Sequence, residues 1–272
     1  MARGRSPTSS PLHAAEPVPA YLTFALVAPL ASFGGIAVGE RRGGWDRPAR
    51  SAVLGLLGAC LGVEREDDAA QAALAADYGL ALLCHAPGRL LPDYHTAQVP
   101  PAARNRRFVT RAEELASRDL NTVLSRRDYR SGAWHLGALW TRGEAPRWSL
   151  EQLREAMEQP AFVPYLGRKS CPLGLPLAPE MTEAEDPVRA LERRHAEGPE
   201  ARLLLPRAGW REITMRDALA DQPANPLIVL DAADAADGPR LLRVEMRRDQ
   251  PRSRRRWQFD LRREAVLRGT AT

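Results

Sequence analysis

The sequence predicts an α+β protein built on a ferredoxin-like sheet, the type also used by RNA-recognition motifs. Three observations support this: a strand, glycine-bearing helix, strand order between Tyr21 and Cys84; a capped amphipathic helix after Trp148; and short apolar strands toward the C-terminus. A chain of 272 residues, 44% of them hydrophobic, is long enough for one large core or two small ones.

Residues 1–20 hold proline, serine and alanine with little periodic apolar character, as expected for a disordered leader. They lack the charged-then-apolar layout of a secretion signal. Tyr21-Leu-Thr-Phe-Ala-Leu-Val27 is apolar on both parities, as in a central strand, and Pro29 is expected to end it. From Ser32 to Arg50, glycines alternate with Arg41, Arg42, Trp45 and Arg47, which suits either a basic loop over nucleic acid or a plain surface loop. Arg50 to Gly62 reads as a buried helix closed by glycine. Gly55 and Gly58, each worth about 1 kcal/mol of lost helix propensity, imply a sheet packed closely on that face. Arg50 at the helix start places a cation where N–H groups could hold a phosphate.

A short helix at 69–76 and an apolar strand, Tyr78 to Cys84, complete the first unit. Residues 91–132 are polar and basic and carry little core material, so they read as an insertion projecting from the sheet, with Thr122 to Tyr129 returning as a strand. Ala133 to Trp140 resumes the core. Ser149 and Gln152 then form a capping box before Leu150, Leu153 and Met157 at helical spacing. Pro164 to Leu177 is a proline- and glycine-rich loop in which Gly167 permits close backbone approach. Arg168, Lys169 and Ser170 offer donors to a phosphate there, and Tyr165 offers a face to a base; two solvated cations on a surface loop are the alternative. Residues 180–198 are helical or linking. The region 200–272 holds strands at 225–230, 240–246 and 256–262, the last two a hairpin whose arginines, Arg247 to Arg256, are the densest positive charge in the chain.

There are 39 basic against 34 acidic residues, a net charge of +5, and Lys169 is the only lysine. Arginine suits bidentate phosphate contacts and stacking, and the balance favours an acidic partner such as nucleic acid; a host codon bias toward arginine would give the same skew with no function behind it. Cys60, Cys84 and Cys171 are widely spaced with no CxxC pair, which argues against a zinc site or a disulfide framework. No run of roughly 18 apolar residues offers a membrane span. Asp231, Asp234 and Asp237 read as a solvated turn, so no metal or cofactor is expected, and the protein is expected to be cytoplasmic.

Three stretches together resemble one family: Arg50-Ser51 leading into Leu54 to Gly62; Asp93-Tyr-His-Thr96 with Thr122 and Arg127-Asp-Tyr129; and Tyr165-Leu-Gly-Arg-Lys-Ser-Cys-Pro-Leu173. They resemble the CasD family of type I-E CRISPR systems, the fifth Cas protein family within the RAMP superfamily, across roughly Tyr21 to Leu177. The resemblance implies a ferredoxin-like RAMP domain over 21–272. Its β-hairpin thumb would be the insertion at 91–132, acting in a Cascade surveillance complex for antiviral defence against invading DNA. In that complex the subunit would clamp the 5′ handle of the guide crRNA, cap the backbone built by CasC and adjoin the large subunit CasA, meeting target DNA only indirectly. The implied RNA contacts are Arg50, Tyr94, His95, Thr96, Arg127, Tyr129, Tyr165, Arg168, Lys169 and Ser170. The resemblance assigns no counterpart to the leader or to the arginine-rich terminal hairpin, so their roles stay open.

A related subtype uses this fold as a metal-independent endoribonuclease that processes CRISPR repeat RNA. That chemistry needs a general base for the 2′-hydroxyl and a cation at the phosphate. His95, His135 and Lys169, with Tyr94 or Tyr165, are the residues able to supply them. His135 sits inside an apolar strand, where a core histidine is expected, and in the type I-E arrangement another subunit cuts, so the expectation is a non-catalytic RNA-binding subunit.

Overall fold

A computed structural model describes residues 18–35, 39–102, 107–116, 119–200 and 226–270. Most of the expected leader, Arg104 and Arg106 of the basic cluster, and 201–225 lie outside the described residues. The protein is mixed α and β around one large sheet, antiparallel except for one short parallel pairing. The strands are β1 (Ala20–Ala31), β2 (Arg41–Arg42), β3 (Tyr78–Ala86), β4 (Arg89–Val99), β5 (Asn121–Thr141), β6 (Glu180–Glu183), β7 (Leu227–Asp231), β8 (Leu241–Ser253) and β9 (Gln258–Arg268). The helices are α1 (Arg50–Cys60), α2 (Asp68–Ala76), α3 (Arg111–Leu115), α4 (Leu150–Glu158) and α5 (Pro187–Glu197). The sheet runs β6-β1-β5-β3-β7-β9-β8, with β2 and β4 both pairing the outer part of β5.

Both faces are covered. On one, Leu22, Phe24 and Leu26 of β1 and Leu80 and Leu82 of β3 pack with Leu57 of α1, Leu74 of α2 and Leu153 of α4. On the other, Ala25, Val27, Leu83, Trp134 and Leu136 pack with Leu191 of α5. Double coverage explains why β1 and β3 are apolar on both parities. Ser149 caps α4 as its capping box requires: its Oγ accepts from Gln152 N at 3.1 Å and its own N–H donates to Gln152 Oε1 at 2.9 Å.

Three expectations are corrected. Pro29 does not end β1. Ala25 N donates to Leu177 O (2.8 Å) and Val27 O accepts from Gly174 N (2.8 Å), so residues of this parity face away from β5, and a missing N–H at 29 costs no bond in that ladder. The two strands expected at 122–129 and 133–140 are one 21-residue strand, β5. Gly132, with φ +71°, joins an outer half paired with β4 to an inner half paired with β1 and β3. The glycines of α1 do not face a sheet. A Cβ on Gly55 would lie 2.5 Å from the Arg254 guanidinium, and one on Gly58 would lie 3.4 Å from Leu74 of α2.

The C-terminal strands are held by a buried ion network. Arg47 reaches Glu264 (2.7 Å) and Glu245 (2.5 Å), while Arg262 bridges Asp249 (2.9 Å) and Glu264 (2.7 Å). Glu264, Asp249, Arg47 and Arg247 are all buried. No helix among the described residues is long and apolar enough to cross a membrane.

Candidate nucleic-acid interface

The outer half of β5 carries Arg127 and Tyr129 of the expected site. It pairs with β4 on one side, while on the other Arg41 and Arg42 of β2 lie opposite Arg126 and Arg127. The four arginines thus lie on adjacent strands, Arg41 and Arg126 on one face and Arg42 and Arg127 on the other. Asp128 is buried, 3.9 Å from Arg41, and its carbonyl accepts from Ser32 Oγ at 3.2 Å, while Asp93 lies opposite Arg127. The pairing of Arg-Arg with Arg-Arg could not be foreseen, because 83 residues and three helices separate the segments; repeated basic dipeptides are the only signal.

The loop from 164 to 177 reaches this cluster through Gly167. Its φ is +90°, and a Cβ there would lie 1.7 Å from the Ser32 carbonyl oxygen. The close approach permitted by Gly167 is therefore made to the protein's own β1, where Ser32 N donates to Leu166 O at 3.0 Å. The turn is closed by Leu166 N to Cys171 O (2.9 Å) and Cys171 N to Arg168 O (2.8 Å). Leu166 and Cys171 are buried beneath it, and burial pushes the Cys171 thiol up. Lys169 and Ser170 are left exposed at its tip. Arg168 is laid over the Tyr129 ring at 4.5 Å. Among the described residues, Arg168 Nη1 and Arg127 Nε are buried without a hydrogen-bond partner.

The register divides the other expected contacts between two faces. Residues directly opposite share a face, so His95 (opposite Ser125) and Arg127 (opposite Asp93) lie with Tyr129 on one side. Tyr94 (opposite Arg126) and Thr96 (opposite Leu124) lie on the other. All three residues of the Tyr94 to Thr96 stretch are exposed. The structure thus brings Arg127, Tyr129, Arg168, Lys169 and Ser170 together, extends them along β4 to His95, and leaves Tyr94 and Thr96 behind. Tyr165 stands on the far limb of the turn, bridged to Pro172.

Arg50 is a correction. It is only 3% exposed, and its Nη2 donates to Ala75 O (3.0 Å) and Tyr78 O (2.8 Å), tying α1 to the end of α2 and the start of β3. Burial pushes its pKa down to about 10. Its backbone N–H, expected to meet a phosphate, is taken by Asp249 at 2.9 Å. Arg247, at the start of the terminal arginine run whose density favours a phosphate contact, is likewise buried, 3.4 Å from Glu264 and stacked at 4.5 Å on Trp45.

The histidines stand apart. His135 is fully buried, edge-on to Phe33 at 5.2 Å, and burial pushes it down to about 3; neither ring nitrogen has a hydrogen-bond partner among the described residues. His85 and His195 meet at 2.9 Å beside Trp134, beneath α5. Among the described residues no three of His, Cys, Asp and Glu lie together as metal ligands.

Comparison with known proteins shows the family. The family described as CRISPR-associated protein (Cas_Cas5) matches residues 21–263. The CRISPR system Cascade subunit CasD of Escherichia coli (strain K12) is 32% identical over 179 residues, 63% of this chain and 75% of the relative. A chain of a CRISPR RNA-guided surveillance complex shares the fold with a TM-score of 0.56 at 20% identity, over 92% of this chain and 90% of that one. A Cas protein crystal structure does so with a TM-score of 0.50 at 24% identity, over 91% and 94%. The chain belongs to the Cas5 family of CRISPR-associated proteins.

Proposed function

We propose that the protein is a non-catalytic, cytoplasmic subunit of a type I-E Cascade complex that clamps the 5′ handle of the guide crRNA, caps a CasC backbone and adjoins CasA. The observation that carries the reading is the Arg127, Tyr129, Arg168 cluster. Arg168 is stacked on the Tyr129 ring at the base of a projecting hairpin, and Arg168 and Arg127 each hold a buried donor without a partner among the described residues. Such a surface recognises a bent, single-stranded backbone by shape and phosphate, as suits a protein that leaves target reading to guide pairing. The order β6-β1-β5-β3, with α1 and α2 between β1 and β3 and α4 between β5 and β6, supports the ferredoxin-like reading, and the β4–β5 hairpin supports the thumb.

Processing of repeat RNA by the same chain would need a general base held beside a cation. His135 is enclosed in the sheet, and His95 lies exposed on β4 with no side chain orienting its ring among the described residues. Holding is favoured over cutting. Replacing Arg168 and Lys169 together with glutamine is expected to weaken handle binding and lower the slope of log affinity against log salt by about 1.4, at roughly 0.7 per lost phosphate contact on a single strand. Unchanged affinity and slope would count against the clamp.

A further inference from the structure

The arginine-rich turn between β8 and β9 is not a solvated arm. It is folded down over α1, and Arg254 Nη1 reaches Ser51 O at 3.5 Å while its guanidinium covers Gly55. Between this turn, the small-residue face of α1 and the loop after β1 lies a groove of about 860 Å³, within the range of roughly 300–1,000 Å³ usual for ligand sites. Its walls carry Trp45, Tyr165, Trp257 and Phe259; of its five arginines Arg254 lies over the Trp257 ring, and Arg252 stands 3.9 Å from Asp260, one of two carboxylates in the lining. Trp257 is 60% exposed and holds a left-handed φ of +55°, unusual for an indole-bearing residue, so the turn accepts strain to present the ring. Phe259 supports Trp257 edge-on at 5.5 Å, and the Arg65 and Arg254 guanidiniums flank it at 4.9 and 5.1 Å. Arg254 is half-buried yet has no carboxylate at ion-pair distance among the described residues, while its neighbours Arg262 and Arg247 are fully paired. Burial, and then Arg65, push its pKa down, as expected of a charge that lacks its counter-ion.

We infer that this groove is a second nucleic-acid site. It takes one unpaired nucleotide of a single-stranded RNA, with the phosphate on Arg254 and Arg252 and the base against Tyr165 and Trp257. The inference rests on the RNA-binding reading above and shares Tyr165 with its implied contacts, but Arg252, Arg254 and Trp257 lie outside them, so variants at Arg254 and Trp257 and variants at Arg168 and Lys169 can fail separately. Aromatic walls with adjacent guanidiniums are the chemistry of single-strand binding, and an acidic peptide would leave the rings unused.

The test uses the full-length protein and a twelve-nucleotide single-stranded RNA carrying 4-thiouridine, with crosslinks mapped by mass spectrometry and affinity measured by anisotropy. The expected result is a crosslink to the peptide bearing Trp257 or Tyr165, and an affinity loss of about tenfold, the scale of one base–aromatic stack, in Arg254→Gln/Trp257→Leu. Tyr165→Leu, away from the turn, should lose a similar amount, and Arg254→Lys should retain part of the binding. If Arg254→Gln/Trp257→Leu binds within twofold of wild type and all crosslinks fall near Arg127 and Arg168, the groove proposal is overturned and the clamp stands. If that variant loses affinity while Arg168→Gln/Lys169→Gln does not, the groove stands and the clamp is overturned. Equal competition by duplex RNA, polyphosphate or polyglutamate would overturn the assignment to an unpaired nucleotide.

Discussion

Gly167→Ala tests whether the turn at 164–177 delivers its cations through one exact backbone fit. At φ +90° an L-residue is strained by about 1–2 kcal/mol, and the added Cβ would sit 1.7 Å from the Ser32 carbonyl oxygen. Backbone cannot yield that distance, so the turn must lift and release the Ser32 N to Leu166 O bond of 3.0 Å. A buried donor left unmade costs about 1–3 kcal/mol more. The sum of about 2–5 kcal/mol acts against the turn's conformation, and its lower end shifts the equilibrium about thirtyfold. Arg168 then leaves Tyr129, so handle-RNA affinity measured by anisotropy should fall to the level of Arg168→Gln/Lys169→Gln, with the sheet still folded by circular dichroism. Gly43→Ala is the control, since its Cβ would meet nothing nearer than Asp128 Oδ2 at 3.8 Å. A folded Gly167→Ala protein with wild-type affinity and salt slope would refute the reasoning.

Other outcomes follow from the core. Glu264→Gln removes the carboxylate shared by Arg47, Arg247 and Arg262, and should cost about 3–5 kcal/mol in urea unfolding; a loss below about 1 kcal/mol would mean the network is not desolvated as its burial implies. His135 is held neutral, with its pKa lowered from 6.5 to about 3 by burial. Its contribution is therefore present above pH 6.5 and is lost as pH falls from there toward 3, by about 2 kcal/mol at pH 5. His135→Leu should flatten that part of the curve, and an unchanged pH dependence would contradict it. Gly55→Ala should keep or raise the melting temperature, since alanine favours the helix by up to about 1 kcal/mol. It should nonetheless push the Arg254 guanidinium aside and weaken RNA crosslinking at the β8–β9 turn; crosslinking as strong as wild type would show that the position of Arg254 is immaterial.

What could be read from residues alone was local. The capping box at Ser149 and Gln152 announces α4 because both partners lie within one turn, and the apolar runs of β1 and β3 announce strands buried on two faces. What escaped reading depends on contacts distant in sequence. Arg50 looks like a helix-start cation, but its fate is decided by carbonyls at Ala75 and Tyr78 and by Asp249. Gly132 and the change from polar to apolar suggest a boundary, whereas β5 passes through it because different strands pair with its two halves. Gly167 is legible as a turn glycine; that it fits against Ser32, and not against a ligand, is not. The motif Asp93 to Thr96 names residues of one strand, and alternation alone parts His95 from Tyr94 and Thr96.

The central claim is that this chain holds guide RNA and does not cut it. The most direct measurement incubates the purified protein, in EDTA, with labelled repeat RNA and with mature guide bearing its 5′ handle, scoring binding and cleavage on one gel. The account predicts retention that prefers the handle and leaves both RNAs whole. A cut within the repeat that disappears in His95→Ala would contradict it and make the protein the processing enzyme.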